Sequence, residues 1–153
     1  CFDQGLEMAL ACDLRLASSV SRFGLTHVTQ GSLPWDGGTQ RLARNVGRAH
    51  ALRVLLTGDT IQPVEALRIG LIQEVIDGPD FWGQALTRSA ILASGAPLAA
   101  GYAKEAILSG ADLTLEHGLR LEADLSILLH TTEDRARGIR SFRDGHSPDY
   151  EGR

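Results

Sequence analysis

The chain has 153 residues, 43% of them apolar and 22% charged. That is material for one ordinary soluble domain with a sizeable core, and it excludes a disordered, collagen-like or disulfide-stapled chain. The 15 basic and 19 acidic side chains leave a net charge of −4, so the chain lacks the basic footprint of a nucleic-acid or anionic-membrane binder. Only Cys1 and Cys12 are available for disulfides, and no apolar run reaches the roughly 18 to 20 residues of a membrane span. The expectation is a cytoplasmic protein with reduced thiols and no nucleic-acid or membrane partner.

The sequence opens at Cys1 and runs at once into a helical pattern with no strand or cap before it, which reads as the C-terminal part of a longer polypeptide. Over residues 4–13 the apolar Leu6, Met8, Ala9, Leu10, Ala11 and Cys12 cover nearly the whole circumference. This predicts a helix buried on most sides, with Cys12 as a core thiol and Glu7 as the one charged interior residue. Residues 14–17 read as a short buried strand, 18–21 as a turn and 23–25 as a second short strand. A loop follows over 27–38, carrying Gly31, Pro34, Trp35, Asp36 and the Gly37-Gly38 pair; loops of this length are usually functional or disordered, and Pro34 and Trp35 argue against disorder. Helices are predicted over 39–46 and 48–56, parted at Gly47, and over 64–69, opened by Pro63 and stopped by Gly70. A strand over 71–76 and a turn over 78–80 lead into four helical stretches, 81–94, 97–108, 113–129 and 133–144. In the third, Leu115, Leu119, Leu121, Ala123, Ile127 and Leu128 form an apolar stripe at helical spacing. The shift from mixed to all-helical pattern places a division near residue 95, giving segments 1–95 and 96–153, and residues 146–153 read as a polar tail.

Glu7 is the first candidate for chemistry. A carboxylate among apolar neighbours costs several kcal/mol to bury ionised. It is therefore paired (with Arg15, for example), turned to water, used as a helix cap, or held ready to exchange protons as a general acid or base. His27 and Asp36 stand at the two ends of the Gly/Pro/Trp loop. An imidazole held by a carboxylate is the usual way to build a base that works near neutral pH, although Asp36 ahead of Gly37, Gly38 and Thr39 is equally an ordinary helix N-cap. His27, His50, His117, His130 and His146 show no ligand-like spacing, so no metal is expected. Arg135, Arg137, Arg140 and Arg143 form a basic cluster near the end, either a solvated helix face or a phosphate contact.

Taken together, the segments GLEMALACDLRLAS, FGLTHVTQGSLPWDGGTQRLARNVG, LLTGDTIQPVEALRIGLIQEVI and TTEDRARGIRSFRDGHSP resemble consecutive blocks of the crotonase (enoyl-CoA hydratase/isomerase) superfamily. The resemblance runs over essentially the whole chain and corresponds to the C-terminal part of a full-length member. It implies an α/β fold, a spiral of ββα units followed by a helical trimerisation region, in homotrimers that often pair into hexamers. It also implies an acyl-CoA thioester substrate, with coenzyme A as part of the substrate and no separate cofactor. The thioester oxygen would lie between two backbone N–H donors that stabilise an enolate. One of those donors falls on Gln4, just before Gly5, where relatives carry a glycine-rich turn.

By the same resemblance Glu7 falls on the first of two acid/base carboxylates, while the second position, twenty residues on, holds His27. Two such groups suit hydration of a conjugated double bond, one activating water and one supplying the α-proton. Asp36 stands where common hydratases have a small residue. That placement resembles the naphthoate-synthase branch, and a His with a downstream Asp resembles the branch that hydrolyses C–C bonds of β-diketones, in which Asp36 would orient His27. Gly5 and Trp35 are expected to line the substrate. Phe142 matches an aromatic residue that packs on the CoA nucleotide of a neighbouring subunit; Gly145 stands where a basic residue is usual, and Arg143 is the candidate to replace it. The primary expectation is a hydratase/isomerase, with a C–C hydrolase or a non-catalytic superfamily member as alternatives.

Overall fold

The computed structural model describes residues 1–153 and resolves into two compact units, Cys1–Ala85 and Leu86–Arg153. The division falls within a helix, ahead of the change in pattern near residue 95.

In the first unit the elements follow in the order α1 (Gln4–Ala11), β1 (Leu16–Ser18), α2 (Gly38–Val46), α3 (Arg48–Thr57), α4 (Pro63–Arg68) and β2 (Glu74–Ile76), with a single 3-10 turn at Val28–Gln30 between β1 and α2. Breaks fall where the sequence punctuates. Gly47, at φ 78°, ends α2 and precedes α3, and Pro63 takes the first turn of α4, where its missing N–H has no partner to lose. The strands are shorter than expected. β1 and β2 pair in parallel, with Leu16 opposite Glu74 and Ser18 opposite Ile76. Leu71 and Ile72 stay outside β2 because their N–H groups both turn back to the Ala66 carbonyl at the end of α4. The strand expected over 23–25 reduces to isolated bridges, Phe23 with Ile61 and Gly24 with Phe2.

Leu6, Leu10, Leu25, Leu42, Val54, Ile61 and Leu71 form the heart of the core. Helix α1 is not buried on most sides. Only Leu6, Glu7 and Leu10 are covered, a one-sided stripe, while Met8 is 73% exposed. Cys12 is likewise an exposed free thiol rather than a core one. Arg15 does not pair with Glu7. Its guanidinium donates to the carbonyls of Leu71 (2.6 Å) and Cys12 (2.7 Å) and to Asn45 Oδ1 (2.7 Å), bracing α1, α2 and the approach to β2. Burial works against that charge and lowers the guanidinium pKa, with Cys12 and Asp13 partly opposing the shift.

The four C-terminal helices are α5 (Phe81–Ala93), α6 (Pro97–Gly110), α7 (Leu115–Leu129) and α8 (Glu133–Asp144). Thr114 and Thr132 cap α7 and α8, each hydroxyl accepting the N–H three residues on. Of the apolar residues on α7 only Leu125 is buried, and Leu115, Leu119, Ile127 and Leu128 all stand exposed. The last residues are not a free polar tail. The carboxylate of Asp134, 2% exposed, accepts the N–H groups of Glu151 (2.9 Å) and Gly152 (2.7 Å). The Asp134 N–H donates in turn to Arg153 O at 2.9 Å. These backbone donors, that of Glu151 foremost, hold the Asp134 carboxyl below its ordinary value. Arg137 pairs with Glu133 and Glu151, so this part of the basic cluster is committed within the unit. No helix is long and apolar enough to cross a membrane.

Candidate active site

Helix α1 and the loop ahead of α2 bring Glu7 and His27 together inside the first unit. Glu7 lies one turn into α1, on the face shared with Leu6 and Leu10, and its side chain is fully buried. Its Oε1 accepts two backbone N–H groups, from Asp36 at 3.0 Å and from Gly38 at 2.7 Å. Gly38 is the first residue of α2, so the carboxylate binds at the amino end of that helix, where unpaired N–H groups favour an anion. Glycine is required there for space. A Cβ on Gly38 would lie 2.8 Å from Glu7 Oε1 and 2.9 Å from Pro34 Cβ. Gly37, with φ 94°, supplies the turn into the helix.

With Oε1 filled, Oε2 makes no hydrogen bond within the chain. It faces His27 Nε2 at 3.8 Å. His27 is 6% exposed, and its backbone is pinned because its carbonyl accepts the N–H groups of Gln30 (3.0 Å) and Ser32 (2.9 Å) and the Ser32 hydroxyl (3.1 Å). Both ring nitrogens lack an aligned hydrogen bond. Two heteroatoms 3.8 Å apart can both reach one small polar molecule placed off the line joining them. Trp35, 73% exposed, meets the His27 ring edge-on, with centroids 6.4 Å apart and planes at 68°.

The carboxylate beside the other face of His27 is not the expected one. Asp36 is exposed, and its side chain takes part in no ion pair with His27; what it contributes is its N–H to Glu7 and its carbonyl to Arg41 Nη1 at 2.6 Å. It is not the cap of α2 either, since Gly37 holds that position. The loop carries Asp36 outward, and Asp3 Oδ1 lies 3.2 Å from His27 Nδ1 instead. Asp3 carries no signal of its own in the sequence pattern; it reaches the imidazole because Phe2 bridges to Gly24.

Gln4 opens α1. Its N–H has no partner in the chain, whereas those of Gly5 and Glu7 close on the carbonyls of Phe2 (2.9 Å) and Asp3 (2.9 Å). Gly5 is exposed beside it. Phe142 and Arg143 belong to the second unit, near the end of α8. Phe142 is 91% exposed, and Arg143 lies against Asp144 at 2.9 Å. No cluster of three or more His, Cys, Asp or Glu side chains is placed to hold a metal ion.

Comparison with known proteins identifies the family. The family model for enoyl-CoA hydratase/isomerase matches residues 1–153. The chain is 42% identical over 148 residues to an (E)-benzylidenesuccinyl-CoA hydratase of Thauera aromatica, covering 97% of this chain and 58% of that protein. It is 44% identical over 140 residues to a short-chain-enoyl-CoA hydratase of Clostridioides difficile, covering 91% of this chain and 90% of that one. A 2,3-dehydroadipyl-CoA hydratase of Escherichia coli is 39% identical over 149 residues, and the chain spans 58% of its length. The crystal structure of an enoyl-CoA hydratase from Bacillus anthracis matches with a TM-score of 0.96 at 35% identity, over 100% of this chain and 59% of that one. The crotonase-like α/β fold is thereby established, and the chain belongs to the enoyl-CoA hydratase/isomerase family.

Proposed function

We propose that the protein is an acyl-CoA enzyme of the hydratase/isomerase type, with Glu7 and His27 as its acid/base pair. The observation that carries this is the juxtaposition of Glu7 Oε2 and His27 Nε2, buried, 3.8 Å apart and both without a hydrogen-bond partner in the chain. Buried polar atoms are left unpaired at a cost, and sites that bind a polar reactant are where such atoms collect. In hydration of an α,β-unsaturated thioester, one of the pair takes a proton from water as it adds at the β-carbon and the other delivers a proton to the α-carbon. The charge that develops on the thioester oxygen is met by backbone donors, and the unpaired Gln4 N–H supports its assignment as one of them. Gly5 keeps the approach to that N–H clear of a side chain, and Trp35 stands beside the imidazole as a wall for the acyl group. Coenzyme A enters as part of the substrate.

The remaining assignments extend this reading. Segment 1–95 completes the spiral core, and 96–153 is the oligomerisation region of a homotrimer or hexamer. The exposed apolar side chains of α6 and α7, among them Ile107, Leu108, Leu115, Leu119 and Ile127, support an assembly role. Phe142 and Arg143 are then the contacts to a neighbouring subunit's CoA. Two unpaired thiols are consistent with a cytoplasmic setting.

Turnover of crotonyl-CoA by the intact protein tests the proposal. Glu7→Gln and His27→Ala should each lower kcat by roughly 10² or more, the scale of a positioned general acid or base. Wild-type turnover by either variant removes that residue from the mechanism.

A further inference from the structure

Asp3 is the only non-glycine residue of the chain with a positive φ, at 47°. Its ψ is −123°, outside the region where aspartate settles readily. A residue in such a conformation carries a local cost that persists only where the surroundings enforce it, and such residues concentrate at functional sites. The side chain is firmly placed. Asp3 Oδ1 accepts the Thr26 N–H at 2.7 Å, and the Thr26 hydroxyl lies 3.1 Å from Oδ1 and 3.0 Å from Oδ2. Thr26 is held in its turn by the Gln30 side chain, whose Nε2 donates to its hydroxyl at 2.8 Å. So fixed, Oδ1 lies 3.2 Å from Nδ1 of the neighbouring His27, on the side of the ring away from Glu7. The contact is within hydrogen-bond distance but off line, and the broad χ2 well of histidine lets a small ring rotation align it.

We propose that Asp3 is a positioning residue for His27, holding the imidazole as its Nδ1–H tautomer so that the Nε2 lone pair faces Glu7 and the substrate. The proposal rests on the reading of Glu7 and His27 as the acid/base pair. The charged groups that face the imidazole are Asp3 at Nδ1 and Glu7 at Nε2, both from the start of α1. Neutral imidazole has one donor and one acceptor nitrogen, and which is which is set by the partner of the donor. A carboxylate can only accept at Nδ1 and so selects a single tautomer. Without it, Nε2–H directed at the Glu7 oxygen competes, and the nitrogen facing the substrate loses its lone pair.

The test measures Asp3→Asn, Asp3→Gly and His27→Ala in the intact protein. Glycine suits the backbone at this position and asparagine preserves the shape of the side chain, so both Asp3 variants are expected to fold. Nitrogen-15 spectra of the His27 ring, taken where it is neutral, should show Nδ1–H in the wild type and in Asp3→Asn, whose Oδ1 stays held by the Thr26 N–H and still accepts at Nδ1, and a shift toward Nε2–H in Asp3→Gly. With crotonyl-CoA, kcat should fall by roughly 10² or more in Asp3→Gly, and by less in Asp3→Asn, while KM changes only a few-fold. An effect transmitted through the adjacent Gln4 amide, or through folding alone, would leave the tautomer unchanged in Asp3→Gly and overturns the proposal. Near-wild-type kcat in Asp3→Gly with a large loss in His27→Ala also overturns it while sparing the acid/base pair. Full turnover by His27→Ala brings down the pair and this proposal together.

Discussion

Gly38→Ala probes the packing that aims Glu7. The added Cβ would lie 2.8 Å from Glu7 Oε1, 2.9 Å from Pro34 Cβ and 3.0 Å from Glu7 Cγ, against 3.4 Å or more for an ordinary contact. The three contacts are thus short by about 0.6, 0.5 and 0.4 Å. Neither neighbour is free to yield. Pro34 is cyclic and buried, and Glu7 is held by two N–H groups and covered completely. Overpacking of this kind costs about 1–3 kcal/mol. Replacing glycine by alanine in a helix gives back at most about 1 kcal/mol, so from the middle of that range, about 2 kcal/mol, a net destabilisation of about 1–2 kcal/mol remains. The carboxylate must shift by roughly half an ångström. A full 1 Å misplacement costs about 10²-fold in rate, so kcat should fall about 10-fold. Urea titration of the intact protein reads the first effect as a lower midpoint at unchanged slope, and crotonyl-CoA turnover reads the second. A Gly38→Ala variant as stable and as active as the wild type would refute the account of how α2 and Glu7 fit together.

Other perturbations separate the remaining claims. Arg15→Met removes three hydrogen bonds and strands the Leu71 carbonyl, for an expected loss of about 2–4 kcal/mol by urea titration; a loss below about 1 kcal/mol would show that the brace is dispensable. Asp36→Ala should leave stability within about 0.5 kcal/mol, as for an exposed side chain without partners, whereas loss of a helix cap would cost about 1 kcal/mol and show in the same titration. The Asp134 carboxyl titrates below its ordinary value of 3.8 in the folded protein. Its contribution to docking of the last residues is therefore complete above that pH and lost as pH falls through the depressed native value. Hydrogen exchange at the Glu151 and Gly152 amides should be slow at pH 6 and lose protection below the ordinary carboxylate range. Equal protection on both sides of that range contradicts the assignment.

Backbone punctuation made much of the first unit legible. Gly47 parted α2 from α3, Pro63 opened α4, and the bounds of α8 were read residue for residue because Thr132 and Gly145 bracket it. Burial was read less well. Six apolar residues around α1 suggested a helix covered on most sides, but only the face bearing Leu6, Glu7 and Leu10 meets the core, and residue type does not say which partners a face will meet. Glu7 and His27 stood out because their types are unusual for their surroundings. The partner of His27 did not, since proximity along the loop favoured Asp36 while the fold delivers Asp3 from a turn already passed. Asp3 is reached only through the bridge that sets Phe2 beside Gly24, a pairing between distant segments that leaves no mark in local periodicity.

The two N–H groups that close on Glu7 give this carboxylate a second duty besides any part in proton transfer. It is the acceptor for the opening of α2, so deleting it strands a pair of main-chain donors in the interior. A descendant that abandoned the chemistry could not simply drop the glutamate; it would first have to recruit another oxygen to the same spot. Retention of an acidic or amide side chain at position 7 is therefore poor evidence of activity on its own, because the architecture demands an acceptor there whether or not a reaction takes place.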